Sequence, residues 1–513
     1  MKTLALASLA VVATTIAGCV TISSDAPPTR PASQSPTATT DIRTAPAPAL
    51  QPFYDQQLAW RDCGSGNLCA PLTVPLSYDD PGGPTIKIAL LKNPATGNSP
   101  RGPLVINPGG PGGSGVDYAE SASSAVTPAL HREFDVVGFD PRGVARSEPV
   151  DCLTDAETDA FIAEDPNPDN ATELQDFVAS SEGLAAGCAA DAPILAAAIG
   201  TPNVARDLDV LRAALDVPTL DYLGFSYGTF IGAVYAELFP TRVGRFVLDG
   251  AMDPTLSNTE LSYGQAIGFE VALQRYIADC VGKGGCPLGD SVAAANARLT
   301  AFLADVELNP LPTDSGRPLT SGYALSAIVY PLYQPSYGWP VLTANLRQAF
   351  AGDGTGMMEM VDLFNEREPD GTYASNGIDA LYAVNCLDRP DRPGVAETQA
   401  LAEQWAQEAP YFGSLLAYGN LPCHYWQYPS VDAARDITAA GAPPILVVGT
   451  EFDPATPYSW AVSLASQLAS GVLLTWEGGD GHTAYNNSSE CINETIDAFF
   501  IAGVVPEDET VCR

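Results

Sequence analysis

Short apolar runs alternate with longer amphipathic stretches along this chain. Leu104-Val105-Ile106 is one such run, leading into a Gly-rich loop, and Phe134 to Phe139 (FDVVGF) is the next. Thr219 to Phe225 ends at Ser226, and Tyr227 to Phe239 then reads as a helix that stops before Pro240. Phe246-Val247-Leu248, Ile445 to Val448 and Val472 to Thr475 complete the set. Apolar, β-branched runs bounded by Gly and Pro are the signature of buried strands. Their alternation with helical stretches predicts an α/β fold, with a mostly parallel sheet carrying helices on both faces.

Between residues 254 and 435 the pattern changes. This stretch is mainly helical by composition, with aromatic loop segments such as Tyr330 to Trp339 (YPLYQPSYGW), and strands resume after it. An insertion is expected here, forming a cap over the carboxyl ends of the strands, with the core divided between residues 51–253 and 436–513. A separate domain elsewhere on the surface is the alternative. There is no internal repeat.

The first residues carry an address. Lys2 precedes the apolar run Leu4 to Ile16, which is too short to span a bilayer and fits a signal peptide over residues 1–18. Ile16-Ala17-Gly18-Cys19 resembles a bacterial lipobox, so Cys19 is expected to be lipidated and to anchor the protein at the extracellular face of the membrane. An ordinary signal peptide would instead release a secreted protein. Residues 19–50 are rich in Pro, Ser, Thr and Ala and read as a disordered tether.

Composition narrows the partners. Hydrophobic residues are 46% and charged residues 17% of the 513, which suits a globular protein. A net charge of −37 repels phosphate backbones and excludes nucleic acid as a partner. Of the 11 Cys, removal of Cys19 leaves an even number, and export makes disulfides plausible. Sequence alone does not settle the pairing. Short loops favour Cys63–Cys69 and Cys280–Cys286, and sequential pairing adds Cys152–Cys188, Cys386–Cys423 and Cys491–Cys512. With three His and no recurring Cys-x-x-Cys, a metal is not expected.

Gly224-Phe225-Ser226-Tyr227-Gly228 matches G-x-S-x-G in its proper setting, a strand before and a helix after. The flanking glycines permit the sharp turn that lifts the Ser hydroxyl above the sheet at a helix N-terminus. A Ser hydroxyl needs a base, usually His oriented by a carboxylate, and in this fold the chain order is Ser, acid, His. His131 precedes Ser226, and His424 sits in the expected cap beside Cys423, which leaves His482. The acid is expected just past a late strand. Asp453 in Gly449-Thr450-Glu451-Phe452-Asp453-Pro454 fits, with Glu451 as runner-up, while Asp480 is too near His482 in sequence. For the oxyanion, the Tyr227 N–H is one expected donor. The loop Asn107-Pro108-Gly109-Gly110-Pro111-Gly112-Gly113 supplies the other, Gly110 N–H with Gly112 as fallback. Acyl transfer by a Ser-His-acid triad needs no cofactor.

These stretches together resemble a known family. NPGGPGGSG, GFDPRGVARSEP, ARDLDVLRAAL, YLGFSYGTFIGAVYAELFPTRVGRFVLDG, PPILVVGTEFDPATP and GGDGHTAY are similar to the tripeptidyl aminopeptidase branch of the proline iminopeptidase-like α/β-hydrolases. The resemblance runs from about Trp60 to the end of the chain. It implies removal of short peptides from a free N-terminus by Ser226, Asp453 and His482, with Gly109 to Gly112 as the oxyanion loop. Pro108 stands where the iminopeptidases usually have His, which tilts the likeness to the tripeptidyl branch. Asp140 and Arg142 of the DPRG stretch match a family pattern and are expected to form an ion pair or brace a loop. An exopeptidase also needs a cap carboxylate for the substrate's α-ammonium, and Asp388 beside Cys386 is the candidate. Two alternatives remain open: an esterase using the same triad, and a non-catalytic surface lipoprotein on a hydrolase fold.

Overall fold

The computed structural model describes residues 42–486 and 489–513. The expected signal peptide, Cys19 and most of the tether lie outside the described residues.

Ten strands form one sheet in the order β1-β2-β3-β5-β4-β6-β7-β8-β9-β10. They are β1 (Arg61–Gly64), β2 (Asn67–Pro75), β3 (Thr85–Asn93), β4 (Gly102–Asn107), β5 (Phe134–Phe139), β6 (Leu220–Phe225), β7 (Val243–Asp249), β8 (Ile445–Phe452), β9 (Gly471–Asp480) and β10 (Thr510–Cys512). From β5 across to β10 every pairing is parallel, whereas β1, β2 and β3 join antiparallel at the other edge. All six strands read from the apolar runs are present. β1 to β3 and β10 were not anticipated. β2 carries two prolines within nine residues, and β1 and β10 are only four and three residues long; β3 shows an alternating apolar pattern in Thr85-Ile86-Lys87-Ile88 that was overlooked.

The central strands are buried on both faces, which is why they read as continuous apolar runs. Alternate residues point to opposite sides. Val105, Tyr222, Phe246 and Val447 pack with helices Thr201–Ala214, Tyr227–Leu238 and Tyr458–Gln467. Leu104, Leu223, Val247 and Leu446 pack on the other face with helices Gly115–Glu120 and Glu490–Ala502. This is the α/β-hydrolase arrangement.

Nine helices from Asn258–Lys283 to Leu421–Tyr425 occupy the chain between β7 and β8. Several of them share a second core, with Phe269, Tyr276, Leu299 and Tyr323 at its centre. Helix Asp155–Ala163, which lies between β5 and β6, packs on the same core through Ile162 and Ala163. Thr320 Oγ1 and Tyr323 OH donate to the Ala163 and Asp159 carbonyls. The helical layer thus draws on two separate stretches of chain. The five disulfides join the sequential pairs Cys63–Cys69, Cys152–Cys188, Cys280–Cys286, Cys386–Cys423 and Cys491–Cys512. Among the described residues no helix is long and apolar enough to cross a membrane.

The tether was expected to run to Leu50, but residues 42–50 lie on the core. Leu50 is buried, and the carbonyls of Ile42 and Thr44 accept from Arg212 and Arg242. Both arginines pair with the fully buried Asp209, and the donors left over hold the incoming chain. Pro-rich composition hid this, since the contact rests on backbone carbonyls that any residue offers.

Candidate active site

Ser226 sits at the end of β6 with φ 53° and ψ −124°, an unfavourable conformation for a residue with a Cβ. The turn persists because its surroundings hold it. Ser226 N–H donates to the Asp249 carbonyl at 2.9 Å, and Ser226 O accepts from Thr229 N at 2.8 Å and Thr229 Oγ1 at 2.6 Å. Any Cβ at Gly224 would lie 2.5 Å from Gly228 O, and one at Gly228 would lie 2.8 Å from Asn107 O. Only glycine fits either side of this elbow.

His482 follows β9, and its Nδ1 lies 2.8 and 2.9 Å from the two carboxylate oxygens of Asp453. Asp453 follows β8 and is almost wholly buried. Its oxygens also accept from the N–H groups of Ala455, Thr456 and Thr483 at 2.9, 2.8 and 3.1 Å. Four donors converge on one carboxylate, which fixes the ring's orientation and leaves Nε2 as the free nitrogen. Thr456 Oγ1 lies 3.3 Å from Nδ1. The runner-up acids are engaged elsewhere. Glu451 accepts from Gly478 N, and Asp480 pairs with Arg275. His131 lies against Asn93 and Pro94, and His424 against the Arg392 carbonyl.

Ser226 and His482 line one cleft of ≈ 920 Å³, together with Gly110 and Gly112. Among the described residues no hydrogen bond joins Ser226 Oγ and His482. The glycine loop presses on the elbow: a Cβ at Gly109 would lie 2.8 Å from Ser226 Cβ and 3.0 Å from Tyr227 N. Gly109 N–H is held by Asn107 Oδ1 at 3.0 Å, whereas no hydrogen bond of the Gly110 or Tyr227 N–H is found among the described residues. Two unpaired donors beside a strained Ser can receive a developing oxyanion.

The helical layer touches both parts of this arrangement, which sequence reading missed. His482 N–H donates to the Tyr333 carbonyl at 2.9 Å, and the Tyr333 ring meets the imidazole edge-on at 5.1 Å. A Cβ at Gly112 would lie 2.6 Å from Gly377 O. The aromatic segment around Tyr333 was visible as a pattern, but nothing in it names a carbonyl as a partner for His482.

Asp388 corrects an expectation. It is fully buried at the end of helix Gly377–Asp388 and does not line the cleft. Its carboxylate accepts from Thr201 N at 2.8 Å and Thr201 Oγ1 at 2.5 Å, and Tyr227 OH lies 2.6 Å from that hydroxyl. Asp388 therefore braces the residue after Ser226 from behind. The carboxylates that do line the cleft are Asp151, Asp155, Glu366 and Asp379, with Arg146 the basic residue among them. Asp140 and Arg142 brace loops, as expected, but not as a mutual pair. Asp140 accepts from Ser114 Oγ and Val116 N, and Arg142 makes a bidentate pair with Asp207.

Burial pushes the Asp388, Asp379 and Asp249 carboxyls each up to about 6. The folded state therefore binds these protons more tightly than the unfolded chain does. The stabilisation is complete below about pH 4 and is lost as pH rises through about 6, worth about 2 to 3 kcal/mol per group. Carboxylates held low, such as Asp159, are ionised in both states above pH 5 and do not oppose this. The melting temperature is expected to be higher at pH 5 than at pH 8. Melts followed by circular dichroism check this, and a Tm that is flat or falls towards pH 5 contradicts it.

A family profile described as TAP-like protein matches residues 409–512, which hold Asp453 and His482. The chain is 38% identical over 487 residues to the serine protease Hip1 of Mycobacterium tuberculosis, covering 90% of this chain and 92% of the relative. It is 36% identical to carboxylesterase B of the same organism, covering 95% and 94%. It is 30% identical to the tripeptidyl aminopeptidase of Streptomyces lividans, covering 88% and 86%. With a strand–elbow–helix at Ser226 and likeness along nearly the whole of these relatives, the chain belongs to the tripeptidyl aminopeptidase and Hip1 family of α/β-hydrolases.

Proposed function

We propose that this protein is an exported serine exopeptidase that releases tripeptides or similar short units from free N-termini. The observation that supports the reading is the cleft: Ser226, the Asp453-bonded His482 and Gly110 line it, with the Tyr227 N–H next to Ser226 at the helix start. Ser226 Oγ attacks the scissile carbonyl while its proton passes to His482 Nε2. Asp453 keeps the Nδ1 tautomer and stabilises the imidazolium. Gly110 and Tyr227 N–H groups receive the oxyanion. The imidazolium then protonates the leaving amine, and a water activated by His482 releases the acyl group. The chemistry calls for no metal or organic cofactor.

The helices of residues 254–435 act as the cap that shapes the substrate channel. The acidic cleft wall of Asp151, Asp155, Glu366 and Asp379 suits a peptide α-ammonium, the role first given to Asp388. Residues 1–18 direct export, and a lipidated Cys19 holds the enzyme at the extracellular face of the cell membrane, its only membrane contact. Peptides with a free N-terminus are the partners, and nucleic acid is not.

Likeness to a relative named carboxylesterase B favours a second reading, an esterase with the same triad. A library of free-N-terminus peptides read by mass spectrometry separates the two, alongside kcat/KM for tripeptide amides, their N-acetylated forms and aryl esters. The exopeptidase is expected to cut at one fixed distance from the N-terminus and to lose at least about tenfold on N-acetylation, the loss of one charge-assisted contact. Turnover of esters with no peptide cleaved supports the esterase instead.

A further inference from the structure

Asp249 ends β7, beside the elbow, and touches both halves of the proposed machinery. Its carbonyl accepts the Ser226 N–H at 2.9 Å. Its carboxylate accepts Ala484 N at 3.0 and 3.1 Å and Tyr485 N at 2.8 Å, in the loop that carries His482. The next residue, Gly250, has φ +65°, and a Cβ there would lie 3.2 Å from His482 Cε1. One residue thus bonds the main chain of the nucleophile and the loop of the base.

A simple brace would not need a charge. Asp249 is fully buried, and among the described residues it forms no ion pair with Lys, Arg or His. Burial pushes its carboxyl up to about 6, so it is ionised at neutral pH. The titratable groups facing it are Asp453, His482 and, from helix Gly115–Glu120, Tyr118. The Ala484 and Tyr485 N–H groups offset part of the cost of burying this carboxylate beside Asp453, and a positive imidazolium formed during acyl transfer would offset more.

We propose that Asp249 is a positioning residue that holds Ser226 and His482 in register and adds a second negative charge that favours the imidazolium. The proposal rests on the Ser226–His482–Asp453 reading of the site.

Asp249→Asn in the full chain tests it, with the aryl-ester or tripeptide-amide substrate that the wild type turns over best. kcat is expected to fall about 10- to 100-fold with KM within about threefold, and the acid limb of kcat/KM to move down by about half a pH unit or more. An unchanged kcat overturns the proposal, and so does a lowered kcat with the acid limb in place, the mark of a mere brace. Where the amide variant does not fold, Asp249→Glu tests the positioning half of the proposal: it keeps the charge and misplaces it, so kcat falls while the acid limb stays. A moved limb or an unchanged kcat for Asp249→Glu refutes the proposal. Fluorophosphonate labelling of the wild type runs in parallel. No label at Ser226 sinks the triad reading itself, whereas a labelled wild type with unaffected Asp249 variants sinks this proposal alone.

Discussion

Ser226→Ala is expected to lower kcat by about 10⁵- to 10⁶-fold, roughly 7 to 8 kcal/mol of barrier, and to abolish fluorophosphonate labelling. The size of the effect follows from what the substitution removes. In the proposed mechanism the alcohol forms the bond to the acyl carbon, so no acyl-enzyme can form without it. What remains is binding in the cleft and the two N–H donors, which in such sites still give about 10³- to 10⁴-fold over water. The variant should fold as the wild type does. The Ser226 hydrogen bonds in the elbow run through its backbone N–H and carbonyl, and Ala keeps both. An alanine at φ 53° is as strained as the serine it replaces. An unchanged melting temperature with lost labelling is therefore the expected pair of results. Labelling retained elsewhere in the cleft would move the nucleophile to another residue.

Asp453→Asn is expected to cost about 10³- to 10⁴-fold in kcat with a small change in KM. The carboxylate receives the His482 Nδ1 proton and three backbone N–H groups, from Ala455, Thr456 and Thr483. Asn replaces one acceptor oxygen with a donor NH2, which either faces an N–H group or turns the imidazole to the wrong tautomer. The loss should therefore exceed that of Asp249→Asn, since Asp249 reaches the ring only through the loop. Steady-state kinetics on the three proteins under one set of conditions gives this order, and a reversed order would exchange the roles of the two carboxylates.

The reach of sequence reading here follows the range of the interactions. Strands β4 to β9 were legible because each is a buried run with its own boundaries, and the G-x-S-x-G context placed the elbow at Ser226. The pairing of His482 with Asp453 was legible because chain order in this fold leaves few candidates among three histidines. Asp388 shows where that logic fails. A carboxylate beside a disulfide looked like a poised ligand, but helix Gly377–Asp388 turns that end into the core, where the Thr201 N–H and hydroxyl donate to it. Nothing local distinguishes Asp388 from Asp379, nine residues earlier on the same helix and in the cleft wall.

By itself, then, the order of residues determined the elbow and the strands around it, pointed to His482 and Asp453 as the candidate base and acid, and favoured the cysteine pairs without settling them. These depend on short-range turn chemistry, on apolar runs and on small loops, all of which are written in adjacent residues. Tertiary structure alone decided that Asp249 bonds the loops of both Ser226 and His482, that the Tyr333 carbonyl holds His482, and that residues 42–50 dock on Arg212 and Arg242. The physical reason is common to all three. Each contact uses backbone groups that every residue carries, so only the packing of distant segments selects which of them meet.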